Sequence, residues 1–390
     1  MKKKVRTRKK ENNLNAAGYL ENLKSGDYLL MLFTIILVIF GIIMVFSASY
    51  YYSISQDGSA YSYLRRHSMW AILGFCAMVF GASFDYRRFK GLAKPGIILS
   101  IVLLLLIFTP LGVTVNGATR WIGVGPITIM PGELAKLAAI VFVAWYLSED
   151  QNRIKSLKYG ILPMIGVMAV LAGLIIKQPN LSTAITVCGI IVAMMLVAGM
   201  KWRYFFGAAG VGFAGIMSIV LFMKDSYWYT RLTAFTNPFA DPLDTGYQAV
   251  QSLLALGSGG LFGVGLGKSV QKNLYLPEPQ NDFILAIIGE ELGFVGVICV
   301  MIVYCLFLWR GIHIAINAPD QFGMMLASGI VLMVAIQVIL NIAVVTSSMP
   351  ATGINLPFIS YGGNALLIFM FSVGVLLNIS RHGPKNSGVE

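Results

Sequence analysis

The sequence predicts an all-α polytopic membrane protein of about ten transmembrane helices, with a large extracellular loop between the seventh and eighth. Hydrophobic residues make up 57% of the 390-residue chain and charged residues only 12%, whereas a soluble domain carries about 25% charged residues. The apolar residues fall in runs of about 20, the length of a helix that crosses a bilayer. These observations exclude a soluble domain built around one large core.

Ten apolar runs are long enough to be candidate spans. The first begins near Tyr28 and is too long for the hydrophobic region of a cleaved signal peptide, so no such peptide is predicted. The runs lie near 27–49, 67–84, 92–110, 132–148, 158–176, 181–200, 203–223, 282–309, 321–346 and 359–380.

Lysine and arginine predict which side each chain end occupies. The densest cluster is the run from Lys2 to Lys10, and smaller clusters follow every second span. Because basic loops stay in the cytoplasm, both termini are predicted to be cytoplasmic. The net charge of +12 therefore favours contact with anionic membrane lipid over nucleic-acid binding. The predicted units are a basic tail (1–26), a membrane domain (27–380, with its large outer loop at about 224–281) and a C-terminal tail (381–390).

Cysteine, histidine and glycine patterns indicate neither a metal cluster nor a nucleotide site. The four cysteines lie inside apolar runs and the three histidines are far apart. The sequence GVGLGKS (263–269) resembles the end of a P-loop, but the motif needs a glycine where Phe262 stands. It also lies on the predicted outer side, where ATP is scarce. The six glycines between Gly257 and Gly267 instead favour close backbone packing or a tight approach to a ligand.

Asp282 is the first candidate for chemistry, because it lies where a long polar segment meets a long apolar helix. A carboxylate at the membrane edge is costly to hold, which makes it a candidate functional residue. The structural alternative is a helix cap, a role that aspartate also serves. Glu290 and Glu291 lie roughly 12–14 Å further along the helix and on other faces, so they are predicted to be structural.

Three other outer segments carry polar residues. Pro131 suits the first turn of a helix, Glu133 falls in that turn, and Lys136 shares its face. This pair is expected to help Lys136 tolerate the membrane edge, which does not exclude a functional role. The hairpin at 177–184 and the nearly uncharged segment at 346–363 are interpreted as structural.

Taken together, six segments resemble the SEDS family of bacterial cell-wall polymerases, and are most similar to its division branch, FtsW, or the related sporulation branch, SpoVE. The resemblance covers about 26–381. Departures from the family pattern occur at Gly132, Asn180, Asn237, 280–281 and 364–365. In order, the segments are NGATRWI (116–122), PGELAK (131–136), QPNLSTA (178–184), GYQAVQSLLALGSGGLFGVGLGKSVQK (246–272), YLPEPQNDFILAIIGEELG (275–293) and PATGINLPFISYGG (350–363).

The resemblance implies a peptidoglycan glycosyltransferase that polymerises lipid II into β-1,4 glycan strands at the outer face of the bacterial cytoplasmic membrane. It implies release of undecaprenyl pyrophosphate and action at the division septum. The implied partners are lipid II, a class B penicillin-binding protein and bitopic divisome proteins. Two alternatives stay open, a lipid II flippase or other transporter and a non-catalytic divisome scaffold.

The resemblance also assigns roles to individual residues. Asp282 is expected to be the general base or the carboxylate that positions the acceptor, and it could hold, in part, a divalent cation (Mg²⁺ or Mn²⁺). A pyrophosphate leaving group requires positive charge directed at it, which arginine and lysine side chains can supply. The expected substrate-binding residues are Arg120, Glu133, Lys136, Arg231, Gln248 and Lys272.

Overall fold

The structure, a computed structural model, describes residues 26–115, 118–124, 127–207, 210, 214, 217, 235–244, 246–350 and 353–383. Within these residues, nine of the ten predicted spans contain a helix close to the predicted position, and one further helix, α7, lies in the predicted outer loop. In chain order the helices are α1 (Tyr28–Asp57), α2 (Ser62–Ser83), α3 (Phe89–Leu106), α4 (Pro131–Glu149), α5 (Leu162–Ile176), α6 (Leu181–Val197), α7 (Tyr247–Gly259), α8 (Ile284–Ile316), α9 (Gln321–Val345) and α10 (Gly363–His382).

Seven of the described helical stretches are long and apolar enough to cross a membrane. Helix α6 is apolar but has only 17 residues, and α2 has 22 residues but is less apolar. The predicted seventh span, 203–223, falls mostly outside the described residues, although 202–207 are helical. Single turns of 3₁₀ or π helix occupy Tyr86–Arg88, Arg153–Lys155, Leu157–Ile161 and Pro238–Ala240.

The segment between α3 and α4 forms a small antiparallel sheet that the apolar pattern of the sequence did not predict. Its strands are β1 (Gly112–Val115), β2 (Ala118–Val124) and β3 (Ile127–Ile129), in the order β1-β2-β3. Valine, threonine and isoleucine dominate them, as expected for strands. The all-α prediction therefore holds for the membrane part, while the predicted outer segment carries a sheet.

Helices α2 and α10 pack with their backbones almost in contact. A Cβ on Gly81 would lie 2.7 Å from the carbonyl oxygen of Phe371, and a Cβ on Gly374 would lie 2.1 Å from that of Met78. Small residues allow this close approach between membrane helices. The contact also fixes the start of α10 beside Trp70 of α2, at one wall of the cavity described below.

Helix α8 is interrupted at Gly293, where φ is 69° and ψ is −170°. The glycine-rich segment that follows α7 runs beside this break. Two of its N–H groups donate to α8 carbonyls, and two α8 N–H groups donate back, with N···O distances of 2.9 to 3.1 Å. The broken turn therefore keeps its backbone hydrogen bonds, and the glycines provide the close backbone packing predicted for them. The donor–acceptor pairs are Val264–Glu290, Gly265–Glu291, Phe294–Gly260 and Val295–Leu261.

Replacing Gly293 with alanine should destabilise the protein. A Cβ there would meet the backbone nitrogen of Gly263 at 2.3 Å, and the positive φ alone costs a residue with a side chain about 1 kcal/mol or more. We expect a lower melting temperature in detergent, measured by intrinsic fluorescence. The control is Gly173→Ala in α5, where a Cβ meets nothing within 4 Å. Equal melting temperatures for the two variants would contradict the role of the break.

Candidate active site

A cavity of about 1000 Å³ lies where the small sheet, several helix ends and two irregular segments meet. One irregular segment precedes α8 and the other precedes α10. They are joined by a backbone hydrogen bond of 2.9 Å from the N–H of Tyr361 to the carbonyl of Gln280. The lining residues include Trp70 of α2, Arg120 of β2, Glu133 of α4, Thr183 of α6, Gln248 of α7 and Gln337 of α9, together with residues of 277–282 and 353–365.

The structure brings five of the predicted site residues to this one cavity. They come from β2, α4, α7 and the segment before α8, which are separate in the sequence and are brought together by the tertiary fold. Arg231 lies outside the described residues, and Lys272 does not line the cavity. The five lining residues are Arg120, Glu133, Lys136, Gln248 and Asp282, and their chemical roles stay predictions.

Glu133 and Lys136 form a buried ion pair on the first turns of α4. The Nζ of Lys136 lies 2.9 Å from Oε1 and 2.8 Å from Oε2 of Glu133, and it also lies 5.6 Å from the ring centroid of Phe369. Pro131 occupies the first turn, as the sequence predicted. Because both charges are nearly removed from water, each depends on the other to be held there.

Asp282 lies two residues before α8, whose cap position is occupied by Phe283. Its carboxylate oxygen Oδ2 lies 3.6 Å from the place that a Cβ on Gly353 would take. Its backbone carbonyl accepts from Nδ2 of Asn341 at 2.8 Å, and the same amide donates to the carbonyl of Ile354 at 2.7 Å. One amide of α9 thus fixes both irregular segments beside the aspartate.

Arg120 reaches the cavity from β2, and its Nη2 donates to the carbonyl of Pro179. The hairpin that carries Pro179 is closed by Asn180, whose side chain accepts from the N–H of Thr183 and caps α6. Pro179 and Thr183 also line the cavity. The hairpin, interpreted from sequence as structural, therefore forms part of the candidate site.

Sequence reasoning missed several lining residues. Glu278 is a second carboxylate, four residues before Asp282, and its Oε2 accepts from Nδ2 of Asn281 at 2.6 Å. Asn355 and Tyr361 come from the segment interpreted as structural because it carries almost no charge. The repeated prolines around Glu278 were the available signal for an irregular, exposed turn.

Lys272 occupies a different position from the one predicted. Its side chain is 3% exposed and its Nζ lies 2.8 Å from Oε1 of Glu291, which does not line the cavity either. The expectation that Lys272 contacts substrate is therefore not supported by the geometry. Glu290 and Glu291, predicted to be structural, are both buried and bonded to neighbouring segments.

The carboxylate and amide side chains that line the cavity fit one way of binding a divalent cation. Glu278 and Asp282 line it, with amide groups of Asn281 and Asn355. In the described part of the chain, no three histidine, cysteine, aspartate or glutamate side chains form a metal-binding group. Mg²⁺ is commonly held by one or two carboxylates together with substrate phosphates, and the two carboxylates suit that mode.

The family model for cell cycle proteins of the FtsW, RodA and SpoVE type matches residues 27–385. The chain belongs to the FtsW/RodA/SpoVE family. Stage V sporulation protein E of Bacillus subtilis is 43% identical over 359 residues, which cover 92% of this chain and 98% of that protein. A protein named probable peptidoglycan glycosyltransferase FtsW, from Geobacter metallireducens, is 38% identical over 369 residues, covering 94% of this chain and 98% of its own.

Solved structures of this family share the fold. One, described as the structural coordination of polymerization and crosslinking by a peptidoglycan synthase complex, contains a chain that matches with a TM-score of 0.75 and 26% identity, covering 92% of this chain and 98% of its own. The rod shape determining protein RodA of Thermus thermophilus matches with a TM-score of 0.68 and 26% identity. The match covers 93% of this chain and 99% of the RodA chain. The predicted family and the multi-pass membrane fold are thereby confirmed.

Replacing Lys136 with methionine should leave Glu133 buried without its cation. Removing one partner of a buried pair costs about 3–5 kcal/mol, so the melting temperature in detergent should fall sharply. The double variant Lys136→Met/Glu133→Gln should recover most of the loss. As a control, Lys90→Met breaks the exposed pair with Glu149 (2.9 Å) and should lower the melting temperature far less, because solvent screens such a pair. Equal losses in the two single variants would show that Glu133 does not depend on Lys136 for its burial.

Proposed function

We propose that this chain is a peptidoglycan glycosyltransferase that polymerises lipid II into β-1,4 glycan strands at the outer face of the cytoplasmic membrane. The observation that carries the proposal is one cavity lined by Asp282 and by the cationic side chain of Arg120. Membership of the FtsW/RodA/SpoVE family and relatives named as peptidoglycan glycosyltransferases support it.

The proposed reaction transfers the growing glycan from its lipid pyrophosphate to the 4-hydroxyl of the GlcNAc of an incoming lipid II. The acceptor oxygen forms a bond to the anomeric carbon of the donor with inversion, and the bond from that carbon to the pyrophosphate oxygen breaks. The hydroxyl proton passes to the Asp282 carboxylate, which acts as general base. Arg120 stabilises the charge that develops on the pyrophosphate.

Glu133 and Lys136 prepare the site from the first turns of α4. The Nζ of Lys136 lies 2.8 Å from Oε2 of Glu133, so the two charges neutralise each other. The pair therefore offers the substrate a fixed dipole and hydrogen-bonding groups, with little net charge. Gln248 from α7 adds an uncharged donor and acceptor suited to sugar hydroxyl groups. We therefore assign substrate positioning to these three residues.

A divalent cation, Mg²⁺ or Mn²⁺, also belongs to the proposal. Asp282 and Glu278 are the residues that would hold it. When bound, such an ion would neutralise charge on the departing pyrophosphate.

The proposed setting is the division septum, with both termini in the cytoplasm and a class B penicillin-binding protein as crosslinking partner. The similarity to a chain of a peptidoglycan synthase complex supports the partnership. Bitopic divisome proteins and anionic membrane lipid are further proposed contacts, the latter through the basic tail.

Asp282→Asn should lower polymerisation strongly, because the amide keeps the size of the side chain but cannot accept the hydroxyl proton. General-base groups contribute about 10²–10⁴-fold, so the rate of glycan formation from purified lipid II should fall at least about a hundredfold. The measurement is gel analysis of glycan strands made with the class B partner present. Asp244→Asn, on the exposed part of the outer loop, is the matched control.

Two results would contradict the assignment. Wild-type rates in Asp282→Asn would show that another group takes the proton. Absence of polymer from the wild-type protein, together with movement of labelled lipid II across liposomes, would favour the transporter alternative.

Chelation tests the cation separately. Because the two carboxylates would share an ion with the substrate pyrophosphate, EDTA should abolish polymerisation, and added Mg²⁺ or Mn²⁺ should restore it. Full activity in excess EDTA would remove the cation from the proposal while leaving Asp282 as the base.

A further inference from the structure

Lys272 and Glu291, neither of which lines the cavity, form a salt bridge that is almost closed to water. The Nζ of Lys272 lies 2.8 Å from Oε1 of Glu291, and the two side chains are 3% and 0% exposed. Ser47 of α1 completes the group, since its hydroxyl lies 2.7 Å from Oε1 of Glu291 and 3.0 Å from the Lys272 Nζ. Three parts of the chain therefore meet at one ion pair.

Glu290 holds the same stretch of chain by a second set of contacts. Its carboxylate accepts from the N–H groups of Val270 at 2.8 Å and Gln271 at 3.3 Å, and from the hydroxyl of Ser269. The stretch 269–272 is thus bound to α8 through both glutamates. The backbone contacts to Glu290 do not depend on Lys272, so the salt bridge can be removed while this part of the attachment stays.

The salt bridge closes a loop that contains the candidate base. Lys272 and Glu291 are 19 residues apart, and Asp282 lies between them. Within the loop, Leu274 and Glu278 have φ values of 68° and 46°. Residues with side chains adopt that conformation only where their surroundings impose it. The salt bridge between Lys272 and Glu291, at the two ends of the loop, provides such a constraint on the residues just before Asp282.

We propose that Lys272, through its buried salt bridge with Glu291, is a positioning residue that holds Asp282 in place for the transfer step. This inference rests on the proposed function. Lys272 does not line the cavity, so it acts on the rate of the chemical step and leaves substrate affinity unchanged.

The test compares Lys272→Met, the charge-neutral double variant Lys272→Met/Glu291→Gln, and Lys272→Arg, each with lipid II and the class B partner. Displacing a reacting group by about 1 Å can cost about a hundredfold in rate. We therefore expect kcat of Lys272→Met to fall about a hundredfold with KM within about twofold. The arginine variant, which keeps the salt bridge, should recover part of kcat, whereas kcat of the double variant, which removes the bridge without leaving an unpaired charge, should stay low. Lys268→Met, an exposed lysine on the same segment, should behave as wild type.

Hydrogen exchange, measured without substrate, gives a readout that does not depend on activity. In Lys272→Met the amides of 273–283 should exchange faster, while those of α9 and α10 should not change. A merely structural role would instead lower the melting temperature and speed exchange throughout the bundle.

Several outcomes would overturn the proposal. A rise in KM at constant kcat would return Lys272 to substrate binding. Wild-type kcat and exchange in Lys272→Met, or failure of both Lys272→Met and the double variant to fold, would leave the salt bridge without a positioning role. Absence of polymer from the wild-type protein would refute the proposed function itself, and the exchange of 273–283 would still decide whether the salt bridge holds the loop.

Discussion

The cost of holding charge away from water governs this structure. A carboxylate or ammonium group inside a membrane protein must be paired or hydrogen-bonded, because the surrounding lipid offers no partner. Two lysine–glutamate pairs meet that requirement here, at 2.8 Å in each case. One faces the cavity from α4. The other does not line the cavity, and it joins the segment before α8 to α8 itself. The polar cavity can exist because its charged neighbours are compensated within the fold.

The backbone is subject to the same constraint. Non-helical chain at membrane depth is tolerated only where protein covers it or where it lines a wet cavity. The break at Gly293 is covered by the glycine-rich segment, which exchanges four backbone hydrogen bonds with α8. The irregular segments 277–282 and 353–362 contribute residues to the cavity lining and are tied together by the amide of Asn341. The break in α8, the glycine-rich segment that covers it and the irregular segments that line the cavity therefore all satisfy this one constraint.

The sequence predicted what is local and missed what depends on the tertiary fold. The helices follow from apolar runs, and the Glu133–Lys136 pair follows from a three-residue spacing on one helix face. The partner of Lys272 could not be predicted, because 19 residues of chain separate it from Glu291. The sheet was missed because its strands have only three to seven residues. The segment before α10 carries so little charge that only the structure shows it lining the cavity.

The charges in the cavity bear on how it would hold an anionic substrate. Among the described lining residues, three carboxylates face two cations, since Glu133, Glu278 and Asp282 are set against Arg120 and Lys136. A pyrophosphate would gain little from the net charge of such a cavity. Its binding must come from donors fixed at short range or from a cation brought with the substrate. In the proposed reaction the two carboxylates before α8 would accept the hydroxyl proton and hold such a cation, which would account for the negative charge that the cavity retains.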